Sequence, residues 1–222
     1  MNRDIDEALL TRIRETYARV RSEQAIKALQ RNGFEAAYAA TPEEAAQKVF
    51  ELVPAGASVG VGGSMTARQL GLLRALAERG HKVVHHWLPG LTPAEARRLR
   101  LEESVCDVYL TSSNAITLDG KLVNVDGTGN RAGAMMYGPG RVIVVAGYNK
   151  VVADVDEAVA RIKAVAAPMN AIRYSYKTPC ALTGVCNDCS SPDRLCRVTA
   201  IIERRPNSIR FNVLLVGAEL GF

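Results

Sequence analysis

Three helix-start signals, each standing between short runs of aliphatic residues, constrain this chain more than any other feature in it. Thr41-Pro42-Glu43-Glu44 sets a capping hydroxyl, a proline at the first helical position and a glutamate three residues after the cap. Thr92-Pro93-Ala94-Glu95 repeats the device, and Asp154 with Glu157 is a reduced form of it. The helices they open are predicted to run to about Val53, Glu103 and Ala166. Between and around them lie the β-like runs Phe34 to Tyr38, Ser58 to Val61, Lys82 to His86, Cys106 to Leu110 and Val142 to Ala146, with Arg197 to Ile202 and Ile209 to Val216 closing the chain. Strands alternating with helices at this spacing predict βαβ units, an α/β fold with a mainly parallel sheet flanked by helices.

Three further segments complete this reading. Ala67 to Arg79 reads as one helix, and Asp4 to Arg31 as a long N-terminal one that Asn32-Gly33 stops, giving a helical segment over residues 1–33. Ala115 to Leu118, Asp119-Gly120 and Lys121 to Val125 read as an inserted β-hairpin, because Asp-Gly accepts the positive φ angles of a two-residue turn. With 222 residues the chain is long enough for one large core, and it is expected to form a single domain over 1–222.

Composition narrows the functional classes. With 48% hydrophobic and 23% charged residues the chain resembles an ordinary globular protein, and no run approaches the roughly twenty apolar residues of a membrane span. Met1 to Glu7 carries both charge signs and no apolar stretch, so no export signal is read and a cytoplasmic location is expected. The net charge of +5 comes from intermixed residues without interleaved aromatics, which argues against nucleic acid as a partner.

Four of the five cysteines, Cys180, Cys186, Cys189 and Cys196, stand close together among Gly184, Asn187, Asp188, Ser190, Ser191 and Pro192, which are turn formers. Such a segment buries little apolar surface, so something other than packing is expected to fix it. Disulfides suit an oxidising compartment that the N-terminus does not indicate. Zinc suits Cys186-x-x-Cys189, but its usual second C-x-x-C is missing. One tight pair flanked by two distant thiols suits an iron-sulfur cluster, four-iron in type, and a thiol redox loop is the remaining alternative. Cys106, before an apolar run, reads as a core thiol.

Two loops are candidates for ligand contact. Gly60-Val61-Gly62-Gly63-Ser64-Met65-Thr66 follows a strand and precedes a helix, so Gly62, Gly63, Ser64 and Thr66 form a candidate cradle for phosphate or carboxylate. It is neither a dinucleotide fingerprint nor a P-loop. In the second, Asn124, Asp126, Gly127, Thr128, Gly129, Asn130 and Arg131 crowd a strand end, and Asn114 ends another. Here Asp126 is the candidate base and Arg131 the candidate two-pronged carboxylate anchor; the plainer reading is a helix cap with Arg131 on the surface. His85 and His86 face opposite sides if the strand continues through them, which argues against a histidine metal site.

Gly62-Gly63-Ser64-x-Thr66, Leu110 to Thr117, Leu122 to Arg131, Tyr137-Gly138, Val144 to Gly147 with Asn149-Lys150, Thr178-Pro179-Cys180 and Val216-Gly217-x-Glu219 to Phe222 together resemble the lactate-utilisation (LUD-domain) proteins. The resemblance implies the α/β fold of ribose-5-phosphate isomerase and the CoA-transferases, and a link to lactate oxidation. Members with a cysteine-rich tail look like iron-sulfur proteins. The expectation is therefore an iron-sulfur protein of 2-hydroxy acid utilisation, acting by electron transfer or through an open iron as Lewis acid. Its expected associations are a small anionic or carboxylate ligand, redox partner proteins and further copies of itself. The alternative is a zinc-stabilised binding protein without catalysis.

Overall fold

Along the strand Val142 to Ala146, alternate side chains enter two different cores: Val142, Val144 and Ala146 pack on one side, Ile143 and Val145 on the other. A strand apolar on both faces has to be covered by helices on both, and that requirement organises the molecule. The computed structural model describes residues 6–222; the expected helix start at Asp4 and Ile5 lies outside them.

The elements in chain order are α1 (Glu7–Arg31), β1 (Glu35–Ala39), α2 (Pro42–Leu52), β2 (Val59–Val61), α3 (Met65–Gln69), α4 (Leu72–Glu78), β3 (Val83–Val84), α5 (Pro93–Ser104), β4 (Val108–Thr111), β5 (Ala115–Thr117), β6 (Leu122–Asp126), α6 (Asn130–Met136), β7 (Arg141–Gly147), a 3₁₀ turn (Tyr148–Lys150), β8 (Val151–Val152), α7 (Val155–Arg161), a π-helical turn (Ile162–Ala166), α8 (Ala167–Arg173), α9 (Pro179–Thr183), β9 (Val198–Ile202) and β10 (Arg210–Val216). Six strands form one parallel sheet in the order β1-β10-β7-β4-β2-β3. Its longest register pairs β10 with β7 from Arg210↔Arg141 to Val216↔Gly147. A second sheet, β8-β5-β6-β9, has β5 antiparallel to β6 and β6 antiparallel to β9. The fold is thus mixed α/β around a mainly parallel sheet, with an N-terminal helix, as the alternation predicts.

The start signals act as read. Thr41 accepts from Glu44 N at 3.2 Å, Thr92 and Glu95 form a reciprocal capping box, and Asp154 accepts from Glu157 N at 2.8 Å.

Elsewhere the chain departs from expectation for local reasons. The helix expected over Ala67 to Arg79 breaks into α3 and α4 at Gly71, whose φ is 63°. The hairpin loop holds three residues between Thr117 and Lys121, and of Asp119 and Gly120 only Gly120 takes a positive φ. A side chain at Gly120 would also strike the backbone of Ala28 in α1, at 2.5 Å. The expected strand Lys82 to His86 keeps only two residues, β8 is an addition, and α6 is the helix that the cap of the plainer reading implies. The helix predicted to end near Ala166 instead continues through Pro168, because the preceding turn widens to π geometry and a proline asks for no amide bond. In the cysteine segment, one helical turn, α9, forms where only turns were expected.

Candidate functional site

In a parallel sheet all strands end at the same edge, and ligands bind there. At that edge β2 leads into Gly62 to Thr66, its neighbour β4 into Ser112 to Asn114, and the next strand, β7, into Lys150. These segments and the end of β6 border a cavity of about 920 Å³. Its lining is strongly basic, with Arg68, Arg100, Arg131, Lys150, Arg173, Arg194 and Arg197 against Asp126 and Asp193. Such a wall carries a positive potential.

The Asn124 to Arg131 segment is a closed network rather than a gripping hand. Arg131 Nε and Nη2 donate to Asp126 Oδ1 at 3.0 and 2.6 Å. Nη1 donates to the carbonyl of Ser112 at 3.0 Å and to Asn124 Oδ1, and Nη2 also donates to Asn114 Oδ1 at 2.7 Å and the carbonyl of Val125 at 3.1 Å. All of its N–H groups are engaged, so the expected role of carboxylate anchor gives way to that of a clamp joining β4, β6 and α6. Asp126 Oδ2 accepts from Ala132 N at 2.7 Å, at the start of α6. The expected base is thus a helix cap and the counter-charge of Arg131. Arg131 is also not the surface residue of the plainer reading.

The other sequence candidates divide. Gly63, Ser64, Asn114, Gly127, Thr128 and Asn130 line the cavity. Gly62, Thr66, Asn124 and Gly129 do not. Gly62 is close to the ring of Tyr109, whose hydroxyl would lie 2.3 Å from an added Cβ, so its lack of a side chain serves packing. Asn124 is fully buried within the clamp. Thr66 is buried as well, but Lys150 reaches its hydroxyl.

Two cavity groups escaped the sequence reading. Lys150 is only 3% exposed. Its Nζ donates to Ser112 Oγ at 3.0 Å and Thr66 Oγ1 at 3.3 Å and pairs with no carboxylate among the described residues. Burial, with Arg161 and Arg131 nearby, lowers its pKa to about 7. The second is His86, whose Nδ1 lies 2.6 Å from Oε1 of the buried Glu103. Burial raises the Glu103 carboxyl above the usual range, and His86 opposes the shift. His81 stands apart on the carbonyl of Ala57, whereas His85 and His86 both pack on Trp87, His85 stacked and His86 edge-on.

The cysteine segment borders the same region. Cys180, Cys186, Cys189 and Cys196, all free thiols, line one small cavity of about 30 Å³, and Cys196 also lines the large one. Arg194 holds the loop by donating to the carbonyls of Cys196 and Cys189 and to Asp188, so the segment is less dependent on a bound group than its composition implies. Burial first, and then the neighbouring thiols, raise the pKa of Cys196. Among the described residues no three His, Cys, Asp or Glu side chains converge as ligands of one ion. Cys106 is buried, in keeping with a core thiol.

Among known families, the model described as LUD domain matches residues 22–216. Among solved structures, the chain is similar to a DUF162 family protein from Deinococcus radiodurans, at 16% identity and a TM-score of 0.50, over 91% of this chain and 98% of that one. At that identity the likeness is one of fold. Among curated proteins nothing matches. No helix of the described residues is long and apolar enough to cross a membrane.

Proposed function

This chain belongs to the LUD-domain family, which is associated with lactate utilisation, and from that premise we propose an iron-sulfur protein of 2-hydroxy acid utilisation, with Cys180, Cys186, Cys189 and Cys196 as ligands of a four-iron cluster. The observation that carries this reading is that four thiols ring one small cavity while one of them, Cys196, also borders the basic cavity. Four thiols that border one space, with no three placed as ligands of a single ion, suit a group with several corners better than one small ion. With all four thiols as ligands, such a cluster supplies one-electron transfer.

The chain's own residues do the rest. Arg194 orients the loop through the carbonyls of Cys189 and Cys196. Arg68, Arg100 and Arg173 draw a carboxylate into the cavity, where Trp87 Nε1 and Arg173 Nε are buried donors without a partner. His86, tethered by Glu103, has a second ring nitrogen to take the hydroxyl proton. Leu182 and Val185, 84% and 67% exposed on the cysteine loop, offer apolar surface to a redox partner protein.

The test is iron, sulfide and zinc analysis of the full chain prepared without oxygen, together with its visible spectrum. Iron and sulfide in near-equal amounts with a broad brown absorption, both lost in Cys189→Ala, support the reading. A colourless protein with zinc and no sulfide overturns it in favour of a zinc-stabilised binding protein.

A further inference from the structure

We propose that Lys150 is a reactive amine that condenses with a small anionic carbonyl compound, a 2-oxo acid, entering the basic cavity. A buried ammonium ordinarily has a carboxylate partner, and this one has only two hydroxyls, from Thr66 and Ser112. The guanidiniums of Arg161 in α7 and Arg131 in α6 repel a proton on it. Both are immobilised, Arg131 in its clamp and Arg161 on the carbonyls of Asn149 and Asn114, at 3.0 and 2.7 Å. Gly221 closes the other side, where a Cβ would come within 3.0 Å of Nζ. The amine is therefore held at the end of β7, desolvated and without a counter-ion, on the wall of a cavity that attracts anions. Those are the conditions that keep a lysine neutral and nucleophilic near neutral pH.

In the step itself the Nζ lone pair forms a C–N bond to the carbonyl carbon. The carbonyl oxygen then leaves as water with both amine protons, and an imine remains. Choosing a 2-oxo acid rather than another anionic carbonyl compound rests on the hydroxy-acid reading above, since oxidation of a 2-hydroxy acid produces one.

The experiment is borohydride trapping on the full chain with pyruvate, and in a parallel arm with a phosphorylated aldehyde, followed by peptide mass spectrometry. The expected result with pyruvate is a reduced adduct on Lys150 that leaves the exposed Lys163 and Lys177 unlabelled, forms faster as pH rises through about 7, and is missing in Lys150→Arg. Labelling of Lys150 by the phosphorylated aldehyde alone overturns the 2-oxo acid and keeps the amine. No adduct on Lys150 in either arm, or labelling spread evenly over the lysines, overturns the proposal. The readout is a covalent mass, so it separates from the iron assay. Colourless zinc protein that still traps at Lys150 leaves the amine standing, and brown protein that does not trap removes the amine alone.

Discussion

Arg131 and Lys150 are two cations on the wall of one cavity, and the chain treats them oppositely. Arg131 has a carboxylate, two carboxamides and two carbonyls gathered around it, so that every donor is spent inside the protein. Lys150 is more deeply buried and has two hydroxyls. A fold that satisfies one cation so fully and leaves its neighbour without a counter-charge separates holding from reacting: the saturated group fixes the geometry, and the unsatisfied one is left on the cavity wall.

Several measurements would break or sharpen that contrast. The largest effect is expected at the clamp. Arg131→Met leaves Asp126 buried without its partner and should destabilise the fold by about 3–5 kcal/mol in denaturant titration. Arg131→Lys should recover little of this, because an ammonium cannot reproduce the planar fork. A mild loss in Arg131→Met would erase the distinction between the two cations.

Lys150→Met should act in the opposite direction and stabilise the protein by on the order of 2 kcal/mol at pH 7. The sign follows from the depressed pKa. Between about 7 and the ordinary lysine value of 10.5 the unfolded chain holds a proton that the folded one has released, so wild-type stability should climb with pH through that window. In Lys150→Met the climb should flatten, as read by thermal melts across pH.

Gly62→Ala should cost about 1–2 kcal/mol by pressing a methyl on Tyr109, and Tyr109→Phe should restore part of it, because the hydroxyl goes while the ring carbon Cζ stays 2.9 Å from the added Cβ. Failure of that rescue would return Gly62 to a ligand-binding role. The smallest effect, about 1 kcal/mol, is expected for Thr92→Ala, which removes a capping box remote from either cation and leaves borohydride trapping unchanged.

The sequence was most legible where structure is encoded locally. Thr41, Thr92 and Asp154 announce helices because a cap and its partner lie three residues apart, and the inserted hairpin is announced by Gly120. It was least legible where tertiary packing decides. Lys150 looks like any lysine after a strand, and the closure of α6, α7 and the segment that follows β10 around it removes it from water. His86 and Glu103 lie seventeen positions apart, one in the loop after β3 and the other in α5, with no local pattern to join them. Asp126 and Arg131 were recognised as a polar concentration, but their roles depend on how many partners surround each, and spacing cannot count partners. The four thiols were recognisable as a group, whereas Arg194 as the tie that orders them was not.

The widened turn at Ile162–Ala166 joins two environments. Ile162 and Ala166 look into the basic cavity, Lys163 and Ala171 into the thiol cavity, and Ala167 into both. A π turn spends one residue more than an α turn, so adding a further residue here, at about 100° of azimuth each, would swing Asn170, Arg173 and Ala171 out of alignment together. The surplus residue acts as a spacer that keeps two chambers in phase, and this stretch should tolerate exchanges of side chain far better than any change in length.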